Sequence, residues 1–125
     1  MSIPAYRNPE LPVDERIADL IGELSLEEKC SLLRYDSPAI ERLGIPEYNW
    51  WNEALHGVGR AGKATVFPQA IGMAATFNTG LVERVASAIS DEARAKHHEA
   101  ARHGSRQQYQ GLTFWTPNIN IFRDP

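Results

Sequence analysis

A long helical pattern between two short aromatic segments constrains this sequence more than any other feature. Asn78 can cap a helix over residues 81–103, and Gly104 can end it. Its predicted buried stripe consists of Leu81, Val82, Val85, Ile89 and Ala93. Residues 48–51 before it and 112–122 after it resemble strands. Strands separated by a helix are typical of parallel βα units, so the predicted fold class is α/β.

The first residues are predicted to form an extended lead-in and then a helix. Three prolines among residues 4–12 disfavour a helix there. From Val13 the apolar residues fall at i, i+3, i+4 and i+7, on one face of a helix. These residues are Ile17, Leu20, Ile21 and Leu24. The chain is therefore divided into a lead-in, residues 1–12, and a domain, residues 13–125.

A second helix is predicted to begin at Ser25. Ser25 and Glu28 have the spacing of a capping box, in which each side chain bonds the other residue's free backbone amide. The buried positions of this helix are predicted to be Cys30, Leu32 and Leu33. Cys30 is the one cysteine of the chain and has no partner for an internal disulfide, so we interpret it as a small buried hydrophobic residue.

The composition is that of a folded globular protein and excludes several function classes. The chain is 42% hydrophobic and 23% charged, with a net charge of -3. It has no basic field for nucleic acid or an anionic membrane surface, and no apolar run of about 18 residues. The N-terminus, MSIPAYR, lacks a secretion signal. The chain is expected to be cytoplasmic as written, and periplasmic or secreted if a signal was removed.

Neither a cofactor nor a metal ion is predicted. Residues 57–62, GVGRAG, match the spacing of a dinucleotide-binding loop. The TVFP sequence that follows does not predict the helix that such a site requires. Among the four histidines, His97 and His98 point about 100° apart on a helix, which is unsuitable for one metal ion.

Residues 48–60 carry the side chains with the most chemistry. They combine aromatic rings, a carboxylate, an amide, a histidine and an arginine. Sugars are bound by such sets, because rings cover their C–H faces while charged groups hydrogen-bond their hydroxyls. An ordinary structural loop is the alternative interpretation, and a carboxylate that binds hydroxyls is not thereby catalytic.

Several segments, in order along the chain, resemble glycoside hydrolase family 3 in its β-glucosidase and β-xylosidase members. Residues 48–58, YNWWNEALHGV, are similar to the first active-site loop of the family. The other similar segments are LSLEEK at 24–29, TVFPQAIGMAATFN at 65–78, EARA at 92–95 and TPNINIFRDP at 116–125. The resemblance implies the first portion of a (β/α)8 TIM-like barrel. It is incomplete in 125 residues, since such barrels take about 250.

The resemblance also implies which residues contact substrate. Glu53 occupies the position of a carboxylate that binds sugar hydroxyls in the −1 subsite, and a glutamate after two tryptophans is common in xylosidase-like members. Trp51 either lines the pocket or packs in the core. Arg60 lies near the position of an arginine that contacts substrate in some members. Arg123 and Asp124 are expected to brace the loop.

The activity implied is retaining hydrolysis of terminal non-reducing β-D-glucosyl or β-D-xylosyl residues. The family uses an Asp nucleophile and a Glu acid/base about 5–5.5 Å apart. Both are expected beyond Pro125, so no catalytic residue is predicted here and the chain alone is expected to be inactive. The expected partners are β-glucoside or β-xyloside oligosaccharides and the remainder of the same enzyme. The alternative is a small non-catalytic protein that binds carbohydrate or another partner.

Overall fold

A computed structural model describes residues 3–116 of the chain. Its backbone contacts divide the chain into two units, Met1–Arg34 and Tyr35–Pro125. Nothing in the described part is a helix long and apolar enough to cross a membrane. The predicted alternating segment 118–122, with Arg123 and Asp124, lies outside the described residues.

The first unit is helical, as predicted from its apolar spacing. Helix α1 covers Val13–Glu23, and Leu24 directly after it is buried. The lead-in is not wholly extended, because Ala5–Arg7 forms one turn of 3-10 helix. The Tyr6 amide donates to the Asp19 carboxylate at 2.9 Å, which ties this turn to α1.

Of the apolar stripe predicted for α1, Leu24 is buried, but Ile17 and Ile21 keep 48% and 50% of their surface exposed. The periodicity therefore identified the helix correctly and overestimated how much of its face is covered within the described chain. Helical spacing fixes which residues share a face, whereas burial depends on what packs against that face.

Helix α2, Leu26–Ser31, begins as predicted but ends early. The Ser25 amide donates to the Glu28 carboxylate at 2.8 Å, and the Glu28 amide donates to the Ser25 hydroxyl at 3.2 Å, so the predicted capping box is confirmed. The predicted burial of Cys30 and Leu33 is wrong: Cys30 is exposed and Leu33 is 79% exposed. The helix has six residues, and Leu33 lies beyond its end.

The second unit contains one small sheet. Strand β1, Asp36–Ser37, pairs antiparallel with strand β2, Tyr48–Asn49. The strand predicted at 48–51 is therefore only two residues long. Near the end of the described chain, Trp115 forms an isolated parallel bridge with Glu53. No longer strand forms within residues 112–116.

Two more helices complete the second unit. Helix α3 covers Ala70–Ala74 and helix α4 covers Thr79–Arg102. The Leu81 amide donates to the Asn78 side chain at 2.9 Å, so the predicted cap of the long helix is confirmed.

The buried stripe predicted for α4 is largely wrong. Ala93 is 5% exposed, but Val82 is 39% exposed, and Leu81, Val85 and Ile89 are only partly buried. Hydrogen bonds from the loop at residues 61–65 reach the helix on either side of Ala93, the one residue of the predicted stripe that is buried. Apart from Ala93, the buried apolar residues described in this unit lie outside α4, on both sides of β2 in sequence. They include Ile40, Leu43, Ala54 and Val58.

Candidate functional site

The backbone that follows β2 is held by residues 109–116 from much later in the chain. The Tyr109 amide donates to the carbonyl of Trp51 at 3.1 Å, and the Trp115 amide donates to the carbonyl of Asn52 at 3.0 Å. The Thr116 hydroxyl donates to the carbonyl of Ala54 at 3.0 Å. These bonds give residues 51–54 a fixed course, so the side chains they carry have defined directions.

Asn52 is the central polar residue of this arrangement, with 1% of its surface exposed. Its side-chain amide donates to the carbonyl of Thr113 at 2.8 Å and its oxygen accepts from the Gly111 amide at 2.9 Å. The Tyr48 hydroxyl accepts from the amides of Leu112 and Thr113 at 3.0 and 3.1 Å. The side chains of Tyr48 and Asn52 therefore bond all three amides of residues 111–113 and the carbonyl of Thr113, in a segment that forms no strand.

Four aromatic side chains cluster beside this backbone. The rings of Trp51 and Trp115 lie 4.5 Å apart between centroids, and those of Trp50 and Trp115 lie 5.5 Å apart. Tyr35 meets Trp51 edge-on at 5.4 Å. Trp51 is partly buried within the cluster, whereas Trp115 keeps 46% of its surface exposed. Trp51 therefore has contacts that suit both of its predicted roles, and Trp115 presents a ring to solvent.

Glu53 extends from the edge of this cluster toward solvent. The Trp51 indole N–H donates to one carboxylate oxygen of Glu53 at 3.1 Å. The other oxygen lies 3.7 Å from Nε of Arg60, whose guanidinium is also 5.7 Å from the centroid of the Tyr109 ring. The Glu53 side chain is 35% exposed and that of Arg60 is 70% exposed. The three residues predicted to bind substrate are thus brought together around one oriented carboxylate.

The loop between Glu53 and α3 makes a tight backbone approach at Gly57. Its φ of 131° is in a region that side chains avoid, and an added Cβ would overlap the carbonyl oxygen of Thr65. The amide of Phe67 donates to the carbonyl of His56 at 2.7 Å in the same place. Glycine is needed here because the backbone at Gly57 lies against the backbone at Thr65. The sequence TVFP after the GVGRAG segment was predicted not to form a helix, and no helix begins after that segment before Ala70.

Helix α4 contacts this loop through two charged residues. The Glu92 carboxylate accepts hydrogen bonds from the amide and hydroxyl of Thr65, the amide bond being 3.0 Å long. The Lys96 ammonium donates to the carbonyls of Ala61, at 2.9 Å, and Lys63. Glu92 and Lys96 are partly exposed to solvent, and they also attach α4 to this loop. Local spacing could not reveal this attachment, because both partners are backbone or hydroxyl groups of a distant loop.

The bonds from Thr65 give the Glu92 carboxyl a pH signature. The Thr65 hydroxyl first, and then its amide, lower the pKa of Glu92 from its ordinary value of 4.5. Because the folded pKa is lowered, the stabilisation is present above pH 4.5 and is lost as the pH falls through the lowered value.

We expect the Thr65 amide resonance to titrate below pH 4.5 in a nuclear magnetic resonance series over about pH 3 to 6. In Glu92→Gln that titration should disappear, because the amide does not ionise. A Thr65 midpoint above 4.5, or a Thr65 amide that titrates unchanged in Glu92→Gln, would contradict the contact.

The described part of the chain brings no three potential metal ligands of the His, Cys, Asp and Glu types together. One open cavity, of about 540 Å³, is lined by Arg60, Lys96 and Tyr109 among others, beside Glu53's contact with Arg60. Sequence reasoning missed Trp115 and Tyr109, which complete the surroundings of Arg60 and Glu53. Their only sequence signal is the aromatic character of residues 109–115.

Several known proteins similar to this chain are named for β-xylosidase activity. The chain is 48% identical over 122 residues to a xylan 1,4-β-xylosidase of Xylanibacter ruminicola, covering 96% of this chain and 14% of that protein. It is 44% identical over 130 residues to β-D-xylosidase 3 of Arabidopsis thaliana, covering 96% of this chain and 16% of the relative. The same figures apply to a β-xylosidase/α-L-arabinofuranosidase of Medicago sativa.

The chain thus spans about one seventh of the length of these relatives. No protein-family model matches it. Its similarity to glycosidases named for β-xylosides extends over nearly all of its own residues and includes the segment that carries Glu53, Trp51 and Arg60.

Proposed function

We propose that this chain is part of a β-xylosidase of glycoside hydrolase family 3, and that Glu53 binds hydroxyls of the terminal xylosyl residue in the −1 subsite. The observation that carries the proposal is the oriented, partly exposed carboxylate of Glu53, between the Trp51 indole and the Arg60 guanidinium. It lies within a chain 48% identical, over 96% of its length, to a protein named xylan 1,4-β-xylosidase.

The geometry of Glu53 suits hydroxyl binding. An ionised carboxylate offers about four acceptor positions, and the indole of Trp51 uses one of them. Arg60 lies 3.7 Å from the other oxygen, so it neutralises part of the charge without closing the carboxylate to solvent. A sugar with adjacent hydroxyls can donate to the remaining positions, and the exposed ring of Trp115 can cover a C–H face.

A pentose is the substrate that these observations favour. Glutamate is one methylene longer than aspartate, so its carboxylate reaches further into a subsite and suits a sugar without a hydroxymethyl group. The relatives are named for β-xylosidase, and in Medicago sativa also for α-L-arabinofuranosidase, which are activities on pentosides. Of the two substrate classes that the sequence implies, β-glucosides are therefore less favoured than β-xylosides.

The remaining parts of the proposal concern the whole enzyme. We place the chain in the first portion of a (β/α)8 barrel, and the parallel bridge between Glu53 and Trp115 is compatible with neighbouring strands of such a barrel. The nucleophile and acid/base of a retaining mechanism would come from the rest of a longer polypeptide. The relatives support this, since 84% or more of their length has no counterpart in this chain.

The test uses the full-length polypeptide that contains this chain, with p-nitrophenyl β-xyloside and β-glucoside as substrates. Glu53→Gln removes the charge and keeps the size, so kcat/KM for the xyloside should fall about 10- to 100-fold. Glu41→Gln, an exposed position in the same unit, should leave kcat/KM unchanged.

Three results would contradict parts of this proposal. Unchanged kcat/KM in Glu53→Gln would remove Glu53 from the subsite. A faster wild-type reaction with the glucoside would overturn the pentose assignment. Binding of xylose without hydrolysis of either substrate would favour the non-catalytic carbohydrate-binding alternative.

A further inference from the structure

We propose that Glu92 and Lys96 of α4 are positioning residues for the sugar site, because they hold the loop at residues 61–65 and thereby fix Arg60 against Glu53. We call these two residues the α4 clamp. Its effect on catalysis rests on the function proposed above, whereas its effect on the loop does not.

The clamp has the geometry of a two-point attachment. Glu92 and Lys96 are four residues apart in α4, so they extend from the same face of the helix one turn from each other. Glu92 accepts from Thr65, and Lys96 donates to the carbonyls of Ala61 and Lys63. The helix thus bonds to every second residue of the segment that directly follows Arg60.

Arg60 needs such support because its backbone is strained. Its φ is 57°, in the left-handed region, which is unfavourable for a residue with a side chain. Its own side chain supplies little compensation, because an exposed ion pair such as that with Glu53 contributes little to stability. The loop at 61–65 is largely exposed and buries no large apolar side chain.

The partners of the α4 clamp differ from those of an ordinary ion pair on a helix surface. Glutamate and lysine at i and i+4 usually meet each other on the solvated side of a helix. Here the groups that they bind lie 27 to 35 residues earlier in the chain. Both are only partly exposed. The bonds to loop backbone place the two side chains between the helix and the segment that carries Arg60.

The kinetic test compares clamp variants with matched variants on the same helix. In the full-length polypeptide, Glu92→Ala and Lys96→Met should each lower kcat/KM for p-nitrophenyl β-xyloside about tenfold, chiefly by raising KM. Glu83→Ala and Arg84→Met change equivalent charges at exposed positions of α4 and should have no effect. Lys96→Arg should restore most of the loss, since a guanidinium can also donate to two carbonyls.

A double-mutant cycle separates positioning from general structural damage. If the clamp acts through Arg60, then Glu92→Ala and Lys96→Met should add little to the defect of Arg60→Ala. Additive defects in kcat/KM would overturn the positioning role.

Limited proteolysis tests the clamp without reference to activity, because trypsin cleaves after Arg60 and Lys63. Cleavage at these two bonds should be about tenfold faster in Glu92→Ala and Lys96→Met than in Glu83→Ala. Equal cleavage rates would overturn the proposal, whatever the kinetics show. If the two clamp variants are cleaved faster but the wild-type polypeptide hydrolyses no xyloside, the clamp is supported and the proposed function is refuted.

Discussion

Replacing Asn52 by leucine is expected to lower the free energy of unfolding by about 3 kcal/mol. The substitution keeps the size of the side chain but removes the partners of the Gly111 amide and the Thr113 carbonyl. Both groups would then be without these bonds at a site where the side chain is 1% exposed. Leaving the buried Gly111 amide unsatisfied costs about 1–3 kcal/mol, the lost bond to the part-buried Thr113 carbonyl adds to this, and the added apolar burial offsets part of the sum.

Urea denaturation measures this effect, with Gln107→Leu as the matched control. Gln107 is exposed, so replacing its amide should change the free energy of unfolding by no more than about 0.5 kcal/mol. An equal loss in the two variants would show that the buried amide of Asn52 has no special part in joining residues 48–52 to residues 111–113.

Replacing Gly57 by alanine is expected to lower the free energy of unfolding by about 2–4 kcal/mol. The new methyl group would overlap the carbonyl oxygen of Thr65, and a φ of 131° is itself unfavourable for alanine. The atoms that the methyl group would meet belong to the backbone of Thr65 and Val66, so the conflict cannot be relieved by a side-chain rotation. The loop must move, and we expect the Glu92 bonds to Thr65 to be lost with it.

Gly62→Ala is the control for Gly57→Ala. Gly62 also has a positive φ, 76°, but an added Cβ would meet nothing within 4 Å. Its substitution should therefore cost only about 1–2 kcal/mol of backbone strain. The difference between the two alanine variants in urea midpoint isolates the steric contact with Thr65. Equal midpoints would mean that the approach of Gly57 to Thr65 contributes nothing beyond backbone strain.

Helices α1, α2 and α4 could be predicted because their signals are local, whereas the five-residue helix α3 was not predicted. Ser25 with Glu28, and Asn78 with Leu81, make the bonds that their spacing predicts. Burial could not be predicted in the same way. The burial of Cys30 depends on what packs against α2 and not on its position within the helix. The fold class remains a prediction, and the parallel bridge at Glu53 is compatible with it.

The candidate site was predictable where one segment carries it. Glu53, Trp51 and Arg60 lie within ten residues of sequence and meet in the structure. Trp115 and Tyr109 join them from beyond α4, and no local pattern links those positions to Glu53. The same limitation concealed the roles of Glu92 and Lys96, whose partners are backbone atoms that any residue type could supply.

The distance in sequence between the two sides of this site determines when it can form on the ribosome. Ala54 and its partner Thr116 are 62 residues apart. At about 5–20 residues per second, translation takes roughly 3–12 s to supply the second side after the first. During that interval Trp50 and Trp51 lack the Trp115 ring that packs against them, so the nascent polypeptide carries exposed aromatic side chains that chaperones would be expected to shield.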